Sequence, residues 1–271
     1  MKGSETVLTT VVAALLLATA VPIAAQTTPP YQGGEVEGGG MIVGRVTWSG
    51  PRPELEPLAI NKNPEVCDVD GNRQRPSERL LISGSGGVAN AVVHLEEIQQ
   101  GKPLPTAGAR LDQRNCRYDP HIVILPRKAE LTMSSGDKIL HNIHMFDAAN
   151  YNIPFPNMDS VTKKMRKAGV VSVQCDAGHG WMSAYIHVVN HPYYVVTDAE
   201  GNFKLTDVPP GKYTLKMWHE SWVVTEEVKK DDAVVGYEFG EPIERSREVE
   251  IAASAEAQVD FVLSGQAAEG Q

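Results

Sequence analysis

The chain has 271 residues, with 25 Lys and Arg against 34 Asp and Glu for a net charge of −9. That length allows one large or two ordinary domains, and an acidic balance without a basic cluster excludes a nucleic-acid binder, because nothing would neutralise phosphates. The 24 Gly and 18 Pro fall as punctuation between short apolar runs, which favours β-structure over helical bundles.

Residues 1–25 read as an export signal. Lys2 opens a short polar segment, and "VLTTVVAALLLATAVPIAA" supplies an apolar stretch and small residues before a cut after Ala25. Its apolar core is short for a bilayer span and is broken by Thr9, Thr10, Thr19 and Pro22. No second transmembrane run follows, and no cysteine near the cut would make a lipoprotein. The expected mature chain is therefore periplasmic or secreted, with no integral membrane span. Residues 26–40, "QTTPPYQGGEVEGGG", are expected to form a disordered linker.

An oxidising compartment makes the three cysteines informative. Two can pair and one is left over. Cys67 and Cys116 lie in loop-like surroundings and are expected to form a disulfide, a closure worth about 3–4 kcal/mol in the chain-entropy account. Cys175 is then a free thiol, a liability unless something occupies it.

After the linker, "MIVGRVTWSGPRP" alternates and ends in a Gly-Pro turn. A long irregular stretch runs to about Leu80, and "NAVVHLEEI" follows as a short strand. Residues 120–190 read as successive strands, interrupted by "NYNIPFPNMDS", whose prolines forbid regular pairing. From His191, "YYVVTDAEGNFKLTDVPPGKYTLKMWHE" reads turn, strand, turn, strand. A polar stretch covers 226–240, "REVEIAASAEAQVDFVLSG" reads as a last hairpin, and 266–271 is a tail. No helix of normal length shows a 3.6-residue apolar period, so the fold class is all-β.

The chemistry is concentrated in "VSVQCDAGHGWMSAYIHVV". In an extended run Val171, Val173 and Cys175 share one face, so the sulfur points to the apolar interior. Met182 is in phase with Ala184, Ile186 and Val188, again the apolar set. Glycines at 178 and 180 let the loop curl until His179 returns to the same centre. In "KILHNIHMFD", His141, Ile143 and Met145 share a face, whereas His144 falls on the other, so His141 is the fourth donor and His144 the reserve. Two imidazoles, a thiolate and a weak axial thioether are a donor set for one copper ion. Zinc rarely takes a thioether, and the haem-attachment motif C-x-x-C-H is absent.

"LHNIHMFD" followed by "CDAGHGWM" resembles the cupredoxin family of plastocyanin-like blue-copper proteins. The resemblance implies a Greek-key β-sandwich over 101–190, with His141, Cys175, His179 and Met182 as copper ligands. It also implies that Asn142 braces the cysteine loop from outside the ligand set. Three residues separate Cys175 from His179 where the family commonly has two. The C-x-x-x-H-x-x-M spacing is closer to the dinuclear copper site of cytochrome oxidase subunit two, but that site needs a cysteine where this chain has Val171. The segment "TDAEGNFKLTDVPPGKYTLKMWHE" resembles the carboxypeptidase regulatory-like domain, a small transthyretin-like (prealbumin-like) β-sandwich. That likeness implies a discontinuous domain from 41–100 with 191–265, into which the copper-binding block is inserted. Two consecutive domains with a boundary near residue 190 are the simpler arrangement. The pairing of both resemblances is similar to a group of uncharacterised exported bacterial proteins.

Trp181, beside Met182, either covers the metal or forms a docking face for a redox partner such as a cytochrome or oxidase. His187 and His191 are out of phase with the apolar face and read as solvent-facing or interdomain. His219 either lines an interface near the copper loop or closes a second metal site with His191. His121 reads as structural and His94 as a surface strand residue. No Ser-His-Asp arrangement, phosphate-binding loop or paired carboxylate points to an enzyme. The expected function is one-electron transfer through a blue-copper-like site of two histidines, a cysteine and a methionine. A copper-handling or sensing module, with Met158 and Met165 as extra soft ligands, and a structural or adhesion protein that has lost its metal are the alternatives.

Overall fold

The structure, a computed structural model, describes residues 30–231 and 233–265. The export signal over 1–25 and the tail over 266–271 lie outside the described residues. Among the described residues the only α-helix is a single turn, Pro64–Cys67, and strands supply nearly all other regular structure. The expected all-β class is observed.

Two β-sandwiches, each with its own core, make up most of the described residues. In the first, one sheet runs in the order Tyr151–Phe155, His141–Asp147, Gly169–Gln174, Ser183–Val189, Ile122–Pro126. Its partner sheet runs Ser160–Lys164, Glu130–Ser135, Ala109–Gln113, Tyr118–Asp119. Strand Ser183–Val189 pairs in parallel with Ile122–Pro126, and Glu130–Ser135 with Ala109–Gln113, so the chain crosses between sheets instead of meandering. The alternation read from the sequence sets the inward face. Met145 lies opposite Val173, and Val173 opposite Ala184, and all three are buried with Leu111, Leu131 and Phe155.

The second sandwich mixes the two ends of the chain. Tyr194–Val196, Val92–Leu95, Gly211–His219 and Ile243–Ile251 form one sheet in that order. In the other, Gly40–Ser49 is flanked by Asn202–Val208 on one side and by Glu256–Gln258, then Phe261–Ser264, on the other. Ile42, Val46, Leu95, Leu215 and Phe261 fill its core.

Four local readings need correction. The linker expected to be disordered is docked from Tyr31 onward: Gln32–Gly33 pairs with Gln100–Gly101, and the Tyr31 hydroxyl donates to the Lys102 carbonyl. "NYNIPFPNMDS" does pair, as an edge strand opposite His141–Asp147, with Pro154 across from Asn142. An edge needs donors on one side only, so the missing N–H faces outward. The polar 226–240 stretch is a hairpin, Val224–Lys230 with Ala233–Phe239. Its polarity reflects two largely solvated faces, and Tyr237 anchors it in the first core. The last segment is not a hairpin: Ile243–Ile251 pairs with Gly211–His219, and the strands after it run parallel to Gly40–Ser49. No helix of the described residues is long and apolar enough to cross a membrane.

Candidate metal centre

Cys175 follows directly on strand Gly169–Gln174, and its side chain continues the buried row of Val171 and Val173. The loop then reverses over seven residues before Ser183 opens the next strand. Gly178 takes a φ of +91°, a conformation that favours glycine. At Gly180 a Cβ would meet the Val235 carbonyl oxygen at 2.4 Å, so this turn lies directly under the Val224–Phe239 hairpin. The curl returns His179 to the interior, where it is fully buried, as is His141 at the start of its strand.

The three donors converge. Cys175 Sγ lies 3.5 Å from His179 Nδ1 and 3.9 Å from His141 Nδ1, and the two Nδ1 atoms are 3.2 Å apart. Met182 is buried in the same cluster as Cys175, and its N–H donates to the His179 carbonyl at 2.9 Å.

Both imidazoles are held by their far nitrogens. His141 Nε2 donates to Asp137 Oδ2 at 3.0 Å, and His179 Nε2 donates to Asn63 Oδ1 at 3.2 Å. A carboxylate can only accept, so the His141 proton sits on Nε2 and its Nδ1 carries a bare lone pair. The same holds for His179 against the amide oxygen. Two lone pairs thus face each other beside a single thiol, in a site closed to water. A cation resolves that arrangement, and a point equidistant from the three donors lies about 2 Å from each, close to a metal–imidazole bond length. The donor set and its spacing fit a copper ion.

Electrostatics agree. Burial pushes the Cys175 thiol up, against amides of Asn142, Ala177 and His179 that favour the thiolate. Burial, then the neighbouring His141, pushes His179 down to about 4. Burial also works against the Asp137 carboxylate, but the bond from His141 and the amides of Cys116 and Asn115 hold it below its ordinary value. Metal binding must displace the Cys175 thiol proton.

Outside the ligands, Asn142 Oδ1 accepts from the Ala177 N–H at 3.1 Å, tying the cysteine loop to the His141 strand. Tyr118 donates to the Asn142 carbonyl. Trp181 is buried, with its edge toward His179 at 5.2 Å and its Nε1 donating to the Cys116 carbonyl at 3.0 Å. It is therefore a cover over the centre and not an open docking face. Cys67 and Cys116 form a disulfide, and Cys175 is free.

His144 points the other way and bonds to Asp176, so it is not one of the converging donors. His187 packs on Trp218, and His191 lies against Tyr194, both buried between the sandwiches. His219 bonds to the Glu220 carbonyl and forms no donor group with His191 among the described residues. His121 is paired with Glu220. His94 is no simple surface residue, since it stacks on Tyr194 at 4.5 Å with Nδ1 buried. Met165 is buried in the first core and is no spare ligand, whereas Met158 is 61% exposed.

Sequence reasoning missed Asp137, Asn63, Tyr118 and the covering hairpin. Asp137, four residues before His141, was within reach of a reading that asked what orients the imidazole. Asn63 gives no local signal, because it meets His179 from 116 residues away.

Residues 190–235 match a family model described as BOS complex subunit NOMO1-like, second beta sandwich domain. No curated protein matches the chain. Among solved structures, a purple cupredoxin from Nitrosopumilus maritimus is similar at 20% identity, over 30% of this chain and 99% of its own, with a TM-score of 0.27. Amicyanin from Paracoccus versutus is similar at 14% identity, over 32% of this chain and 85% of its own, with a TM-score of 0.28.

Proposed function

We propose that this chain is an exported mononuclear copper protein that carries one electron through His141, Cys175, His179 and Met182. The observation that carries the reading is the pair of Nδ1 atoms, 3.2 Å apart, that face Cys175 Sγ in a buried site. Bound copper would supply a Cu(I)/Cu(II) couple. The protein's part is to hold the donors still: Asp137 and Asn63 fix the imidazoles, Asn142 fixes the cysteine loop, and paired strands fix the backbone. A frame that does not rearrange keeps the cost of changing oxidation state low. The centre belongs to a cupredoxin-like sandwich, the second sandwich is of the carboxypeptidase regulatory-like type, and the protein works in the periplasm or outside the cell with a cytochrome or oxidase as partner.

The test is copper analysis with an optical spectrum. One copper per chain and a thiolate-to-Cu(II) absorption, both lost in Cys175→Ala, are expected, with a reversible one-electron couple. A copper-loaded sample showing neither absorption nor couple rejects electron transfer. A second reading, Cu(I) retention without cycling, is favoured by the complete burial of both imidazoles and by the closing of the His179 edge by Asn63. High Cu(I) affinity with no accessible Cu(II) state would select it.

A further inference from the structure

Behind His141 lies a second convergence of donors. Cys116 Sγ, a carboxylate oxygen of Asp137 and a ring nitrogen of His141 all lie within 4.8 Å of one another, and all three residues are buried. Cys116 is bonded to Cys67, which is fully buried as well. We propose that reduction of the Cys67–Cys116 disulfide creates a second metal site, made of both thiolates, Asp137 and His141 Nε2, for a thiophilic d10 ion such as zinc. Two thiolates, an imidazole and a carboxylate form a closed four-donor set of the kind zinc takes in structural sites.

The backbone around the site does not depend on the S–S bond. The Asn115 and Cys116 amides both donate to Asp137, at 2.9 Å each. Arg75 holds the Cys116 and Asn115 carbonyls at 2.6 and 2.8 Å, bringing positive charge to a three-anion donor set. Cys67 is held by its own N–H to the Asn63 carbonyl at 2.9 Å. The backbones of both cysteines are thus kept in place by other bonds once the bridge opens, and the freed Cys67 side chain has to turn away from Cys116 to supply the fourth donor.

The chemistry balances with a dithiol as reductant. Two electrons and two protons from the dithiol convert the disulfide to two thiols, and the dithiol becomes a disulfide. Zinc then displaces both thiol protons. With the first centre empty, the proton that leaves His141 Nε2 moves to Nδ1 and is donated to His179 Nδ1 across 3.2 Å; with an ion already on Nδ1 it passes to solvent, and His141 bridges the two ions as an imidazolate. His141 is therefore shared: its Nδ1 faces Cys175 and its Nε2 faces the new site. This inference needs the observed donors alone and no copper in the first centre.

Zinc stoichiometry on metal-free full-length protein tests it, before and after anaerobic reduction and removal of the reductant. Oxidised protein should bind one zinc and reduced protein two. Cys175→Ser separates the sites: it should bind none oxidised and one reduced. Cobalt added to the reduced Cys175→Ser protein should give a thiolate-to-cobalt absorption. A Cys67→Ser/Cys116→Ser pair that still takes a second zinc overturns the proposal. So does a reduced Cys175→Ser protein that binds none, or one that has unfolded and that zinc does not refold. Failure of oxidised wild type to bind one zinc would count against the first centre alone.

Discussion

Asp137 and His144 are both polar neighbours of the His141 strand, yet the structure assigns them opposite weight. Asp137 fixes the tautomer of His141 by accepting from Nε2, and it also accepts the Asn115 and Cys116 amides. Asp137→Asn keeps the shape but can present the wrong group to Nε2, so copper affinity should fall about 10–100-fold. Competition with a chelator of known affinity reads that loss, and unchanged circular dichroism would show that the fold survives. His144 is oriented toward Asp176 on the outer side of the same strand. His144→Ala should leave both copper stoichiometry and thiolate absorption unchanged, and a bleached spectrum would place it among the ligands. The alternation of "LHNIHMFD" alone separated these two histidines, because side chains three apart on a strand face opposite ways. Nothing in that stretch indicated which oxygen would hold the far nitrogen, since that depends on tertiary contacts.

At the scale of elements, the strands that build the first core were legible because each has one buried face and one that is not. The elements that close the site were not. Strand Tyr151–Phe155 carries Pro154 and is tolerated only through its position at a sheet edge. The Val224–Phe239 hairpin has little apolar periodicity because it pairs with itself and buries chiefly its Tyr237 end. Its contact with the cysteine loop is nevertheless tight. A Cβ at Gly180 would meet Val235 O at 2.4 Å and Gly236 Cα at 2.5 Å, both backbone atoms that cannot swing aside. Gly180→Ala should therefore destabilise the fold by about 1–3 kcal/mol, as overpacking does. It should also speed the removal of bound copper by a chelator, because the hairpin can relieve the clash only by lifting. The urea midpoint reads the first effect and stopped-flow chelation the second. An unchanged midpoint would mean that the hairpin does not rest on the loop.

At the scale of the whole molecule, acid is expected to act through the seam between the sandwiches. Val92, Ile122 and Trp218 form a shared apolar cluster there, flanked by Tyr185 and Tyr194. Burial, with the charge of Lys216 behind it, pushes His94 down to about 4. Burial, then His94, pushes His187 down to about 3 and His191 to about 4. His121 goes the other way: burial opposes its charge, but Glu220 outweighs burial and raises it. The signs follow from proton counts. Between pH 6.5 and about 4 the unfolded chain binds protons that folded His94, His187 and His191 refuse, so stability falls as pH falls, by about 3 kcal/mol for each by pH 4. His121 retains its proton on folding and adds no loss over that range. Since an ordinary domain is stable by only about 5–15 kcal/mol, three such imidazoles remove a large part of that margin in mild acid. His187→Phe isolates one of them, keeping a ring against Trp218 while removing the buried Nε2 that has no partner. Urea unfolding at pH 7 and pH 4.5 should show a smaller acid-induced loss in the variant than in the wild type, by close to one proton's worth of slope. Equal losses in the two proteins would mean that His187 does not titrate with unfolding, which would remove it from the groups that make the seam acid-sensitive.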